Sequence, residues 1–284
     1  MTIGKILAPV DGSYGDKASI ENAVRIARIF HAHVAVLFAH LDPAEAVPAI
    51  GIQLGADVFR ASVDANMKID SEEWSRISCA MDAACHSLGA TVVKSPERCA
   101  GVTISADEAI GFTPHVIRRA AILSDLVVFR PCKDSPQTFE AAVDVVLQSR
   151  RPVLLATQVP NAFRHIAIGW DESTAAMDAV WLAMPFLERA DTVEIVCIER
   201  PETTNFITGK IEEFLNVRGI AHKKRHIRIA GSDPARSLAD YACSQGADLL
   251  VMGGFGHGRI RETLLGGMTN EFLRNTPLPL FIAH

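Results

Sequence analysis

Asp248-Leu249-Leu250-Val251-Met252-Gly253-Gly254-Phe255-Gly256-His257-Gly258-Arg259, then Thr263-Leu264-Leu265-Gly266-Gly267-Met268-Thr269-Asn270, is the stretch on which the chain turns. A short apolar run reads as a buried strand and empties into a glycine-dense loop. A second Gly-Gly pair follows at the start of a helix. Glycine takes backbone angles closed to other residues and lets a ligand approach the main chain. Loops of this kind, the second leading into a helix, can turn several N–H groups and a positive helix end toward an anion, with phosphate the first candidate.

Two familiar phosphate motifs are excluded. Gly253 and Gly258 have the spacing of a Walker A loop, but Arg259-Ile260 follow instead of Lys and Ser or Thr. The dinucleotide fingerprint, counted from Gly254, places Arg259 where its third glycine belongs. What remains is Gly253-x-x-Gly256, nine residues, then Gly266-Gly267. The competing reading is a turn that only connects a strand to a helix, since loops are rich in glycine.

Working outward, the chain is written twice. Lys5-Ile-Leu-Ala-Pro-Val-Asp11-Gly-Ser13 is echoed by Arg164-His-Ile-Ala-Ile-Gly-Trp-Asp171-Glu-Ser173. A helix is expected after each, Lys17 to Phe30 and Ala175 to Leu187, and then a second strand, His33 to Ala39 and Thr192 to Ile198. Gly111 to Phe129 parallels Gly231 to Met252. Each copy ends in a proline-marked strand, Arg151 to Ala156 and Leu278 to Ala283. Short apolar strands alternating with amphipathic helices imply a parallel sheet covered on both faces. The boundary is placed in Gln158–Ala162, giving domains 1–160 and 161–284.

The copies differ in the loop. Asp248 to Pro279 spans 31 residues and Asp125 to Pro152 only 27. The first half has Arg130-Pro131-Cys132-Lys133-Asp134-Ser135-Pro136 there, with no glycine and with prolines that remove N–H donors. It also carries an insertion-like segment, roughly Pro43 to Asp70.

The chain has 284 residues, 49% hydrophobic and 21% charged, with a formal net charge of −5. That composition suits a globular protein with a substantial core and gives no sign of bulk nucleic-acid affinity. No apolar run approaches the roughly 20 residues of a membrane span. The first strand begins almost at Met1, which leaves no room for a signal peptide. Six cysteines include no C-x-x-C pair. The simplest expectation is a reduced, cytoplasmic protein.

With these motifs the chain resembles the universal stress protein family in its tandem two-domain form, over nearly its whole length. That family's nucleotide signature is Gly-x-x-Gly, nine residues, Gly-Ser/Thr. Gly253, Gly256 and Gly266 match its spacing. Gly267 stands where the hydroxyl residue belongs, Thr269 falls two residues on, and Phe255 replaces a commonly polar residue. The resemblance implies two doubly wound five-stranded parallel-sheet α/β domains of the adenine-nucleotide alpha-hydrolase-like fold, packed as a pseudo-dimer through their last strands. It implies a site for ATP, AMP or ADP, with or without Mg, formed by Asp171, Met252, Gly253, Gly256, Gly266, Gly267 and Thr269, in a protein of the stress response. Asp11 is the counterpart of Asp171. For both, capping of the following helix is the competing role.

Other candidates are weaker. His31, His33 and His40, and His222 with His226, lack a metal-ligand spacing. Ser13 and Ser173 lack a nucleophile elbow. No catalytic residue or metal ligand is assigned. Three readings stand: a nucleotide-binding regulator using its second half, a protein-interaction module of the same fold that binds no nucleotide, and a slow ATP hydrolase. A protein partner and a homodimer are compatible with the sequence; nucleic acid and membrane are not expected.

Overall fold

Nearly every strand of this chain is a run of Ile, Leu, Val and Ala, and such runs need cover on both faces. The computed structural model describes residues 2–40, 56–96, 101–133, 135–199, 209–228, 234–254 and 268–284. The first half contains β1 (Lys5–Val10), α1 (Asp16–Phe30), β2 (His33–His40), α2 (Ala56–Leu88), β3 (Thr91–Val92), β4 (Thr103–Ile110), α3 (Thr113–Ala121), β5 (Leu126–Phe129), α4 (Pro136–Asp144, prolonged by a π turn) and β6 (Val153–Leu155). The second contains β7 (His165–Trp170), α5 (Thr174–Leu182), α6 (Met184–Leu187), β8 (Thr192–Glu199), α7 (Gly209–Val217), β9 (His222–Arg228), α8 (Pro234–Ser244), β10 (Leu249–Gly253), α9 (Met268–Arg274) and β11 (Leu280–Ala283).

Among the described residues eleven strands form one sheet, in the order β3-β4-β2-β1-β5-β6-β11-β10-β7-β8-β9. Every pairing is parallel except β6 with β11, where Leu155 opposes Leu280, Leu154 opposes Phe281 and Val153 opposes Ile282. The terminal strands of the halves therefore join antiparallel, as the pseudo-dimer requires, and neither is left as an open edge. Among the described residues the first half has six strands instead of the expected five, because the two-residue β3 adds itself outside β4.

The repeat extends to side chains. Asp125 Oδ2 accepts from the N–H groups of Gly4 and Lys5, at 2.8 and 2.9 Å. Asp248 Oδ2 accepts from Arg164 and His165 at the same distances. Each carboxylate ties the start of its half's fourth major strand to the start of its first. The carbonyls of Pro152 and Pro279 accept from Val127 and Leu250, so each last strand begins at a residue whose missing N–H the ladder does not need.

Two helices depart from expectation. The run Ala175 to Leu187 is broken into α5 and α6 around Ala183, because Pro185 has no N–H to continue the ladder. The second departure is in the insertion-like segment. From Ala56 onward it belongs to α2, a 33-residue helix and hence about 50 Å long. Residues 41–55 lie outside the described residues.

The connector between the halves is pinned. Asn22 on α1 is buried and donates Nδ2 to Ala156 O at 3.0 Å, while its Oδ1 accepts from Val159 N at 2.9 Å. Phe186 meets Phe30, Phe163 and Phe281 edge-on, with ring centroids 4.8, 5.3 and 5.7 Å away. One core cluster on this face runs through both halves, and a second covers the opposite face.

Candidate functional site

In an open α/β sheet the natural ligand crevice lies beyond the carboxyl ends of the strands, where the strand order reverses. Each half has one such point, between β1 and β5 and between β7 and β10. The residues leaving those strands are Asp11 and Arg130 in the first half, and Asp171 and Gly253-Gly254 in the second.

The pairing register makes the halves comparable residue by residue. Ile6 lies beside Leu126, and Ile166 beside Leu249, so the residue after Phe129 corresponds to the residue after Met252. Arg130 thus occupies the place of Gly253. Asp11 and Asp171 correspond likewise, each following its strand directly. In α1 and α5 the buried positions Asp16, Ser19 and Ile20 correspond to Ala176, Ala179 and Val180.

In the second half this corner is built from small groups. Ser173 caps α5, its hydroxyl accepting from Ala176 N at 3.1 Å. Asp171 Oδ1 accepts from Ser173 N at 3.0 Å, so Asp171 shapes the turn and is not itself the cap. Glu172 between them has φ +64°, a left-handed conformation that non-glycine residues seldom adopt. A Cβ on Gly253 would overlap Ala176 N and lie 2.6 Å from the carbonyl carbon of Ala175. Only glycine lets β10 end so close to the first turn of α5. Gly254 donates to Ala283 O at 2.8 Å, and its carbonyl accepts from His284 Nδ1 at 2.7 Å, which fixes where the loop departs.

Asp171, Met252 and Gly253 therefore converge on one corner: Met252 is buried and lies beside Gly169 in the ladder. Thr269 falls in the first turn of α9. Gly256, Gly266 and Gly267 lie outside the described residues, as does the rest of the loop from 255 to 267.

In the first half the same corner is filled by charge. Arg130 Nη2 sits 3.0 and 3.3 Å from the two oxygens of Asp11. A Cβ on Gly15 would run into the Arg130 guanidinium, which thus lies against the start of α1. From α2, Arg76 donates to Gly12 O at 2.9 and 3.1 Å, and Glu73 packs beneath Gly12. Burial pushes the Asp11 carboxyl upward. Hydrogen bonds from Ser13 and the Arg130 charge outweigh it and hold Asp11 below its ordinary range. Asp16 is only 4% exposed, and its Oδ2 has no hydrogen-bond partner among the described residues. Burial, with the Asp11 charge beside it, raises its pKa to about 7.

The sequence flagged the glycine-free loop but not what replaces the cradle. The structure commits Arg130 of that loop to Asp11. Aligning the repeats strand by strand puts Arg130 against Gly253 and was the signal that could have shown this. Glu73 and Arg76 had no signal, because α2 meets this corner only through the fold, and the burial of Asp16 at the start of α1 is likewise set by tertiary packing.

Among the described residues no three His, Cys, Asp or Glu side chains come together as a metal site. His33 bonds to Thr103 and Ser105, and His40 pairs with Glu108. Burial lifts the Cys132 thiol to about 12 and the Cys197 thiol to about 11, so neither is poised as a nucleophile. No described helix is long and apolar enough to cross a membrane.

The fold and this corner define a tandem α/β protein in which one switch-point corner is built from glycine and alanine and its twin holds an ion pair. The profile of the Universal stress protein family matches residues 162–284. The second half belongs to that family, and the chain as a whole has the fold of its tandem, two-domain form. Among solved structures it resembles a universal stress protein from Archaeoglobus fulgidus DSM 4304, with a TM-score of 0.69 and 14% identity over 99% of this chain and 96% of that one. It also resembles a putative universal stress protein from Pseudomonas aeruginosa UCBPP-PA14, with a TM-score of 0.53 and 13% identity over 99% and 93%. No curated protein sequence matches the chain significantly.

Proposed function

We propose that the chain is a cytoplasmic regulatory protein of the stress response that binds one adenine nucleotide, ATP or its AMP or ADP relatives, in its second half. The observation that carries this reading is the exchange of Arg130 for Gly253 at one register position, with the strand-end aspartate kept in both halves. Where the first half directs a guanidinium onto Asp11, the second has no side chain at all, and Asp171 stands at the strand end with its turn already formed. A carboxylate there can accept from a ribose hydroxyl. Gly253-x-x-Gly256 and Gly266-Gly267 would supply main-chain donors to the phosphates. Mg²⁺ would arrive with the nucleotide and offset phosphate charge.

The proposed domains are 1–160, with the phosphate loop degenerate, and 161–284, with the loop intact. No general base with a positioned partner among the described residues supports turnover, so the reading is binding and not efficient hydrolysis.

Calorimetry on the full chain with ATP and AMP, with and without Mg²⁺, tests it. One site per chain is expected, lost in Gly256→Asp, where a carboxylate would face the phosphates. A folded protein that binds no adenine nucleotide, and releases none on acid denaturation, would favour the interaction module. Turnover well above a heat-inactivated control would favour the hydrolase.

A further inference from the structure

The eleven-stranded sheet ends in two edges of opposite charge. At one end β3 pairs with β4 only at Thr103 and Ile104, followed by one bond from Val93 N to Ile104 O. Among the described residues, β4 from Ser105 to Ile110 has no strand on its outer side. Asp107 and Glu108 are exposed there, and Ile110 is 61% exposed. A cleft of about 330 Å³ opens where β3 stops, walled by Met81 and Asp82 of α2, Val92, Lys94 and Ala106. At the other end β9 reads His222-Lys223-Lys224-Arg225-His226-Ile227-Arg228, and Lys223, Arg225 and His226 are exposed. Its outer side also has no strand among the described residues.

Open strand edges attract other strands, and charge is the usual guard against it. Here the guard is selective. Pairing β4 with the β4 of another copy would set Asp107 and Glu108 against themselves. Pairing β9 with β9 would oppose two basic runs. Directly opposed like charges are unfavourable across a sheet. The mixed pairing is complementary on both faces. Ala109, two residues along from Asp107, packs with the same core cluster as Ile227, which shares its face with Lys223 and Arg225. Ala106, two residues back from Glu108, packs with the other cluster, and on that face Lys224 reaches Glu212 of α7, with His226 two residues along. In a continued sheet β9 would run antiparallel to β4, and Asp107 opposite Lys223 puts Glu108 opposite His222. Arg225 already pairs with Glu194 and Glu108 with His40, so Asp107 against Lys223 is the contact that selects the partner.

We propose that the β4 edge of one copy receives the β9 edge of a second copy, so that the chain associates head to tail through strand pairing and not as a symmetric dimer. Such contacts are heterologous and leave a free edge at each end of the assembly. Main-chain bonds along Ser105 to Ile110 and burial of Val92 and Ile110 hold the pair; the charges choose it. The inference is independent of nucleotide binding.

Sedimentation equilibrium of the full chain tests it over a range of protein concentrations. The average mass should rise beyond two chains without a plateau, and should fall with added salt. Asp107→Lys and Lys223→Glu each place like charges in the mixed pairing and should each weaken association about tenfold, while the double variant should recover most of it. Both side chains are exposed, so unchanged circular dichroism and melting confirm that each variant is folded. A chain that stays monomeric at every concentration, a plateau at two copies, or a double variant weaker than either single one overturns the proposal.

Discussion

Asp16→Asn tests the physics of the first half's closed corner. Asp16 is 4% exposed, with one oxygen accepting from Asp11 N at 3.3 Å and the other without a partner among the described residues. Its pKa is raised from 3.8 to about 7 by burial and by Asp11. A carboxylate with a raised folded pKa costs stability where it must ionise. Below about pH 4 both the folded and the unfolded chain hold the proton, and the cost is absent. Between about pH 4 and 7 the unfolded chain releases its proton while the fold keeps it. The folded state then binds more protons, so stability falls as pH rises. Above about pH 7 both states are ionised and the loss is complete. Three pKa units correspond to about 4 kcal/mol.

Asparagine keeps the carbonyl oxygen facing Asp11 N and cannot ionise. Its NH₂ adds an unpaired donor costing about 1–3 kcal/mol, but that cost does not change with pH. The reasoning therefore predicts a slope, not an absolute stability. The difference in urea unfolding free energy between the Asp16→Asn variant and its parent should shift by about 4 kcal/mol in favour of the variant from pH 4 to pH 8. Asp11 does not confuse the window. Its lowered pKa gives stability that is lost only as pH falls through that folded value, below the usual carboxylate range. Parallel stability profiles for the two proteins across pH 4 to 8 would refute the burial argument.

Other consequences follow from the same contacts. Asn22→Ala should lower stability by about 2–4 kcal/mol, since it strands the buried N–H of Val159 and C=O of Ala156; an unchanged urea midpoint would show that water replaces the side chain. Deleting Leu280 to His284 removes the partner of β6 and should lower the melting of both halves, read by amide exchange in β5 and β10; protection unchanged in β5 would mean that the β6–β11 junction carries little. Gly253→Ala should destabilise by about 1–3 kcal/mol, because its Cβ meets main chain that cannot rotate away, and nucleotide affinity should fall with it. Asp11→Ala should leave nucleotide stoichiometry at one per chain, whereas Asp171→Ala should abolish binding; loss caused by Asp11→Ala alone would put a working site in the first half.

Periodicity carried most of the fold. Short apolar runs such as Leu126 to Phe129 and Leu249 to Met252 fit strands buried on both faces, and their repetition at matching intervals marked the two halves. Proline at 152 and 279 marked the last strands. What the sequence concealed was set by contacts between distant segments. Pro185 was visible, but a short break inside an apolar helical run was read through. β3 is two exposed residues, too short for any pattern to register. The candidate site was legible as residue types, Asp171 and the glycines. Its negative image in the first half was not, because the Arg130–Asp11 bond spans 119 positions and Arg76 reaches Gly12 from 64 positions away.

Those long-range contacts explain how the two halves diverged without losing the fold. The first turn of the first helix must pack against the ends of the first and fourth major strands in both halves. The second half fills that corner with main chain: Gly253 against Ala175 and Ala176, so that backbone lies next to backbone. The first half fills it with side chains, Arg130 against Gly15 and Asp11, and Asp16 where Ala176 stands. The substitutions depend on one another. An arginine at the place of Gly253 would collide with the start of α5, and without Arg130 the half-buried Asp11 would lie beside buried Asp16 having lost its ion pair. Converting Arg130 to glycine alone should therefore not restore a crevice. It would leave Asp11 beside Asp16 without its arginine, with Glu73 and Arg76 still beneath and beside Gly12. The closed state is held by at least four side chains from three elements, and that is why one half can stay closed while its twin keeps the glycine corner.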